Sequence, residues 1–326
     1  MRNRYIAPAV FLSLGLSASL GIPSVAAPQP AKNAAQNSTS ASETSRKEKI
    51  VNAQVLLDRA GFSTGVIDGM EGESFRKGLA AFQRVNGLPD NGMLDQASLD
   101  KLAESSVGPL LIEYEITASD VAGPFAKSIP EFEEQAELPH LDYTSPKEAL
   151  AEKFHMDERF LAKLNPEADF SRAGERITVA NVERPAPGAM VEKIVVDKNE
   201  RSISAFDASG KLVGFYPASI GSDEKPAPSG VHKITGVQKN PAYHYDPKYA
   251  FKEVKNQRPF TIKPGPNNPV GVVWIAISVP SYGIHGTPNP EKISKTESHG
   301  CIRLTNWDAL DLASRVHPGT AVQFVG

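Results

Sequence analysis

Cysteine is almost absent: Cys301 is the single one in 326 residues. One cysteine cannot close an intramolecular disulfide, which excludes a disulfide-stapled fold. It leaves burial, an intermolecular bridge or chemical reactivity as its uses. Tryptophan occurs twice, and no Lys/Arg cluster is interleaved with aromatics, so a nucleic-acid footprint is missing. No His-Glu-x-x-His pattern or comparable ligand spacing appears. That speaks against a metallopeptidase built on His232, His244, His285 or His299, and neither a metal nor a cofactor is expected. Beyond the first 27 residues no apolar run approaches the roughly 18–20 residues that a membrane-spanning helix needs.

The N-terminus reads as an export signal. Arg2 and Arg4 form a charged start, Ile6 to Leu20 is mainly apolar without acidic residues, and Ser24, Ala26 and Ala27 supply small residues for cleavage. A signal peptide over 1–26 is expected, and no cysteine near the cut offers a lipid anchor. The mature chain should be soluble and extracytoplasmic, periplasmic or wall-associated. In such a compartment a lone cysteine, flanked by His-Gly and Ile-Arg rather than by apolar residues, points to a nucleophile.

The length exceeds one ordinary core, so a multidomain α+β chain is expected. Residues 27–48, rich in Ala, Gln, Asn, Ser and Thr, read as a flexible linker. From 49 to 106 the pattern is helical: Ile50, Ala53, Leu57 and Ala60 share one face, Gly61 stops the helix, and Ser74 and Asp95 are candidate caps for two more. Gly65-Val66-Ile67-Asp68-Gly69, Leu79-Ala80-Ala81-Phe82-Gln83, Gly87-Leu88 and Ser98-Leu99-Asp100-Lys101-Leu102 resemble the peptidoglycan-binding three-helix domain. That resemblance implies a module that holds the cell wall.

Residues 107–183 carry sixteen acidic against seven basic side chains, whereas 184–326 carry twelve against seventeen. A basic half could favour an anionic polymer. In the acidic region a strand over 113–116, helices over 147–155 and 157–164, and a strand over 177–179 are expected. Leu161, Leu164-Asn165-Pro166 and Gly174-Glu175-Arg176-Ile177-Thr178-Val179 carry a similarity to LysM, a glycan-binding module. An acidic insertion over about 120–143 departs from it and leaves a spacer or a lid as the other reading. Glu131, Glu133 and Glu134 are expected to form a solvated face.

Pro185-Ala186-Pro187-Gly188 signals a linker, after which 190–326 turns mostly β. Strands are expected over 191–196, 202–206 and 212–218 and a buried central strand over 270–279, with His285 at its end. Asn306 is expected to cap a helix bearing Ala309, Leu312, Ala313 and Val316, and 321–325 to close as a strand. The chemistry concentrates in Ser298-His299-Gly300-Cys301-Ile302-Arg303-Leu304, with Ile284-His285-Gly286-Thr287 upstream. A thiol nucleophile needs a base and N–H donors for its oxyanion. His285, on a separate loop, is the better-placed base and His299 its rival; the N–H groups of Gly300 and Cys301, with His299, are the candidate donors. Arg303 either faces a substrate carboxylate or braces the loop, and Tyr282 and Trp274 are candidate substrate walls.

His285-Gly286, a twelve-residue spacer and Ser298-His299-Gly300-Cys301-Ile302-Arg303, with Pro226 to Gly230, Pro264 to Gly271 and Thr305-Asn306-Trp307, resemble an L,D-transpeptidase catalytic domain of the YkuD type. The resemblance implies Cys301 as nucleophile, His285 as base with its other ring nitrogen on the Gly286 carbonyl, and peptidoglycan stem peptides as substrates. The acyl group of a tetrapeptide stem would pass, with loss of terminal D-Ala, to an amine of another stem or of a wall protein. An L,D-carboxypeptidase or amidase on the same site, and a non-catalytic wall-binding protein, are the rival readings.

Overall fold

The computed structural model describes residues 32–104, 107–184, 188–222, 225–249, 258–296 and 300–326. Three helices come first: α1 (Lys32–Arg59), α2 (Glu73–Val85) and α3 (Gln96–Glu104). The sequence from Ala31 to Ala60 holds no Gly or Pro. The helix therefore runs back into the stretch expected to be a flexible linker, because nothing there breaks it. Gly61, at φ +84°, ends it. α2 has Gly72 rather than Ser74 at its N-cap, with no side-chain cap. Asp95 does serve α3, accepting from Ser98 N at 2.8 Å.

The middle region runs β1 (Leu111–Glu115), α4 (Ala118–Val121), α5 (Pro146–Lys153), α6 (Glu158–Leu164) and β2 (Arg176–Ala180), with a 3-10 turn at Glu134–Glu137. β1 and β2 pair antiparallel. Ser145 and Asp157 cap α5 and α6, and Pro146 takes the first turn, where its missing N–H costs nothing. The expected strand, two helices and strand are present as β1, α5, α6 and β2, and α4 is an additional helix at the start of the acidic insertion.

The remainder is a sheet flanked by a helix. Its elements are β3 (Lys193–Asp197), β4 (Ser202–Phe206), β5 (Leu212–Pro217), β6 (Ser219–Ile220), β7 (Gly230–Lys239), β8 (Tyr243–Tyr245), β9 (Phe260–Ile262), β10 (Val273–Ile277), β11 (Gly283–His285), β12 (Ile302–Arg303), α7 (Asn306–Arg315) and β13 (Ala321–Val325). Among the described residues nine strands run in the order β5-β4-β3-β13-β7-β10-β11-β12-β6, and β8-β9 forms a separate hairpin. Ile194, Val196, Ile203, Ile275, Ile284, Ile302, Leu304, Leu312 and Val322 are fully buried in one cluster. Each such side chain contributes on the order of 1.5–3 kcal/mol of burial.

The central strand is shorter than the apolar run 270–279 suggests. Asn268 through Val272 are turn or irregular backbone, with Gly271 at φ +62°. His285 is not at the end of that strand. It lies on the antiparallel partner β11, opposite Trp274.

The segments are not beads on a string: Glu43 to Gly326 pack as one unit. Helix α1 presents Ile50, Ala53 and Leu57 to the helical core and Val51 and Val55 to the middle core. The helical core also takes in Leu212 and Phe215 of β5. Phe62 and Phe215 bridge as isolated β partners, with Ser63 N donating to Phe215 O and Phe215 N to Gly61 O, both at 2.9 Å. Buried polar contacts reinforce the junction. Ser63 Oγ donates to Asp308 Oδ2 at 2.7 Å, and Arg184 pairs with Asp311 at 2.6 Å. His155, 3.1 Å from Asp58, stacks on Trp307 at 5.0 Å. The linker signal 185–187 lies outside the described residues.

Burial, aided by the nearby Asp58 carboxylate, pushes the Asp308 carboxyl up to about 7, while hydrogen bonds from Ser63 and Thr305 oppose the rise. An unfolded Asp titrates near 3.9. Between about pH 4 and 7 the folded chain therefore holds a proton that the unfolded chain has lost, and this group's contribution to stability falls as pH rises through that window. Asp308→Asn is expected to flatten the fall. Thermal unfolding of both proteins at pH 4.5 and 7.5 should show a smaller midpoint difference in the variant; an equal difference would refute the assignment.

Candidate active site

β12 pairs parallel with β11, Ile302 opposite Ile284 and Arg303 opposite His285, and Leu304 N donates to His285 O at 2.9 Å. Residues two apart on a strand share a face. Ile284 and Ile302 therefore point into the core, fully buried. Gly283, His285, Cys301 and Arg303 fall on the other side. The pairing sets Cys301 beside Gly283, whose backbone N–H hydrogen-bonds the sulfur and lowers the thiol pKa.

His285, Cys301 and Arg303 line one cavity of about 470 Å³, together with Trp274, Tyr282, Lys225 and Tyr243. The volume falls within the range usual for small-molecule sites. His285 is 3% exposed, and its ring lies near-parallel to that of Trp274 at 5.5 Å. Its Nδ1 is 2.7 Å from Gly286 O. A carbonyl only accepts, so Nδ1 carries the proton and Nε2 is left as the acceptor. Burial, with the Arg303 guanidinium adding to it, pushes His285 down to about 3, against the pull of the Gly286 carbonyl. Burial pushes the Cys301 thiol up, opposed by the Gly283 N–H, Arg303 and Lys225. Both shifts favour the uncharged forms, and the Cys301 thiol donates to Ser281 O at 3.8 Å.

Gly300 sits at φ +98°, and a Cβ there would meet Tyr282 Cε1 at 3.2 Å. Only glycine adopts that backbone without strain, which explains the residue directly before the cysteine. The loop carrying His285 is held from behind. A Cβ on Gly286 would stand 2.0 Å from Asn306 Oδ1, and one on Gly271 equally close. Asn306 is not the cap of α7. Thr305 caps it, accepting from Asp308 N, and Asn306, one residue on and 1% exposed, turns inward. Its Oδ1 accepts from Val272 N at 3.1 Å and its Nδ2 donates to Glu152 Oε1 at 2.7 Å. Gly286→Ala is expected to lower kcat/KM by about 10² by displacing the His285 loop, since a shift near 1 Å costs that much. Steady-state kinetics of a variant with unchanged far-UV CD would show it, and near wild-type activity would mean that the loop yields freely.

Of the sequence-predicted site residues, Cys301, His285, Arg303, Tyr282 and Trp274 line the cavity, and Gly286 and Gly300 adjoin His285 and Cys301 in the chain without lining it. Ser298 and His299 lie outside the described residues. His244 also lines the cavity, with Nδ1 2.9 Å from Thr261 Oγ1. His232 sits on β7 with Nε2 2.9 Å from Ser229 O. Sequence reasoning missed Gly283, Lys225, Tyr243 and Phe132. Tyr243 has its phenol pushed well up by burial and by Cys301 nearby. Phe132 comes from the acidic middle region, its ring 5.3 Å from that of Tyr243, and lines the same cavity. The insertion therefore reaches the cavity that holds Cys301, and nothing in its local sequence signals that contact.

Residues 192–324 match the family of the YkuD L,D-transpeptidase catalytic domain, and residues 46–102 match a peptidoglycan-binding domain. Among curated relatives, the L,D-transpeptidase YkuD of Bacillus licheniformis is 30% identical over 177 residues, which cover 54% of this chain and 90% of the relative. The L,D-transpeptidase YqjB of Bacillus subtilis is 30% identical over 146 residues, covering 43% of this chain and 73% of its own. The crystal structure of L,D-transpeptidase 3 from Mycobacterium tuberculosis aligns at 17% identity with a TM-score of 0.35, covering 47% of this chain and 76% of that one. The two matches define an L,D-transpeptidase catalytic domain joined to a peptidoglycan-binding module. The chain belongs to the YkuD family of L,D-transpeptidases, enzymes of peptidoglycan.

Proposed function

We propose that this chain is exported and forms peptidoglycan crosslinks or protein attachments through an acyl-enzyme on Cys301. The sulfur attacks the carbonyl at the L-centre of the third residue of a tetrapeptide stem. His285 Nε2 takes the thiol proton as the C–S bond forms, then gives it to the departing amine of terminal D-Ala as the C–N bond breaks. The N–H groups of Gly300 and Cys301, with His299, receive the oxyanion. An amine of a second stem, or of a wall protein, then attacks the thioester. A new amide forms, the C–S bond breaks, and the amine's proton returns through His285 to sulfur.

The observation that carries this reading is the single cavity shared by Cys301 and His285, with Nδ1 of the base tied to a carbonyl and Nε2 left as acceptor. Arg303 and Lys225 put positive charge at that cavity, suited to a stem carboxylate, and Trp274 and Tyr282 wall it. The helical module, and in this reading the middle region with it, holds the glycan strands. Muropeptide mass spectrometry after incubation of the mature protein with purified tetrapeptide-stem peptidoglycan tests the proposal. New crosslinked dimers are the expected product. Shortened stems or opened crosslinks without dimers would make the site a hydrolase, and an unchanged substrate would overturn the reading.

A further inference from the structure

A second cavity, of about 790 Å³, lies beside the first and shares Phe132, Pro269 and Arg303 with it. It opens between the middle region and the catalytic domain. One wall comes from the acidic insertion, α5 and α6, the other from Thr287 to Glu291, the segment that follows the His285-Gly286 loop. Its charge is of one sign in excess: Glu148, Asp157, Glu158 and Glu291 line it against Arg159 and Arg303, and Glu152 is a fifth carboxyl, pushed up to about 7 by burial. The catalytic cavity, by contrast, holds Lys225 and Arg303 against Asp246.

Part of that acidity is structural. Asp157 caps α6, Glu158 pairs with Lys147 at 2.9 Å, and Glu148 accepts from Thr144 and from Asn267 Nδ2. Acidity alone would describe a solvated cleft. Gln135 is the separate observation. It is 8% exposed, lines this cavity, and donates from Nε2 to Pro130 O at 3.1 Å. The same bond fixes the amide orientation, so its Oε1 is an acceptor, buried and without a partner among the described residues. A buried acceptor left unmade is costly, and the group that satisfies it must bring an N–H or O–H. A cationic amine meets both features, donating to Oε1 while its charge is matched by the carboxylates.

Resting on the acyl-enzyme reading above, we propose that this cleft is the acceptor subsite, which takes the cationic amine end of the second peptide stem and delivers it to the thioester past Arg303. Donor and acceptor thus enter from opposite charge environments. The anionic donor stem lies in the basic pocket and the ammonium-bearing acceptor in the acidic cleft. In the transfer step the amine loses one proton to solvent to become nucleophilic. It forms the C–N bond as C–S breaks, keeps one proton in the new amide, and passes the other through His285 to sulfur. The cleft also bears on the base: Glu152 accepts from Asn306 Nδ2, and Asn306 Oδ1 backs Gly286.

The test uses the full mature chain, a tetrapeptide stem as donor and a tripeptide stem with a free side-chain amine as acceptor. D-Ala release reports acylation; crosslinked and hydrolysed products report the fate of the acyl-enzyme. Gln135→Leu removes the unpaired acceptor, and Glu291→Lys reverses a charge on a partly exposed residue. Each is expected to raise the acceptor concentration for half-maximal crosslinking about fivefold to twentyfold, with D-Ala release in the same sample correcting for folding. Added salt should raise it in the wild type as well. An unchanged half-saturating concentration in both variants would overturn the subsite. So would a wild-type enzyme that releases D-Ala and yields only hydrolysed stem at every acceptor concentration, while the acylation reading stood. If the wild type releases no D-Ala, the acyl-enzyme reading itself fails, and the subsite with it.

Discussion

Cys301→Ala is expected to abolish both D-Ala release and crosslinking, a fall of about 10⁴ or more, to the level of the uncatalysed reaction. Cys301 is the chain's only thiol, so no neighbouring sulfur can take over. Intact-mass measurement should find a covalent adduct of a carbapenem on the wild type and none on the variant. The same residue makes a pH prediction. Burial pushes its thiol above the usual range, so the thiolate fraction is small at neutral pH and grows with every unit of rise. Alkylation by iodoacetamide should therefore keep accelerating past pH 9. A plateau at or below pH 7 would mean a resting thiolate-imidazolium pair and would refute the neutral pair described here.

His285→Ala is expected to cost about 10²–10⁴ in kcat/KM, the span of a positioned general base, while leaving Cys301 open to alkylation. Its pH signature separates a base from a merely packed ring. With His285 held down to about 3, its imidazole stays neutral from pH 4 upward. The wild-type kcat/KM profile should therefore show no acid limb near 6.5, the ordinary value for histidine. An acid limb at pH 6–7 that vanishes in the variant would show that the ring titrates in the normal range and that its burial has been misjudged.

How far the sequence disclosed this site depended on what each residue type can signal. The shared cavity of Cys301 and His285 and the positive φ of Gly300 were legible because a lone thiol, a nearby imidazole and a glycine have few substitutes. The parallel pairing that brings residue 301 beside residue 283 was not. A two-residue strand, β12, is too short to carry a periodicity, and strand partners are chosen by distant chain. Thr305 and Asn306 are both good caps, and the distant partners Glu152, Val272 and Pro266 decide that Asn306 turns inward. The three helices of the first module were read from apolar spacing, whereas the length of α1 was missed because polar composition was taken for disorder. Phe132 was invisible, since an aromatic inside an acidic insertion looks the same whether it faces water or a catalytic pocket.

The entry of Leu212 and Phe215 of β5 into the helical core changes what the modules are to one another. A flexible tether would let the wall-gripping part and the cutting part search independently, so that any stem within a sphere of reach could be used. Here both are faces of one packed unit, with those two side chains inside the helical core itself, so the position of one part dictates the position of the other.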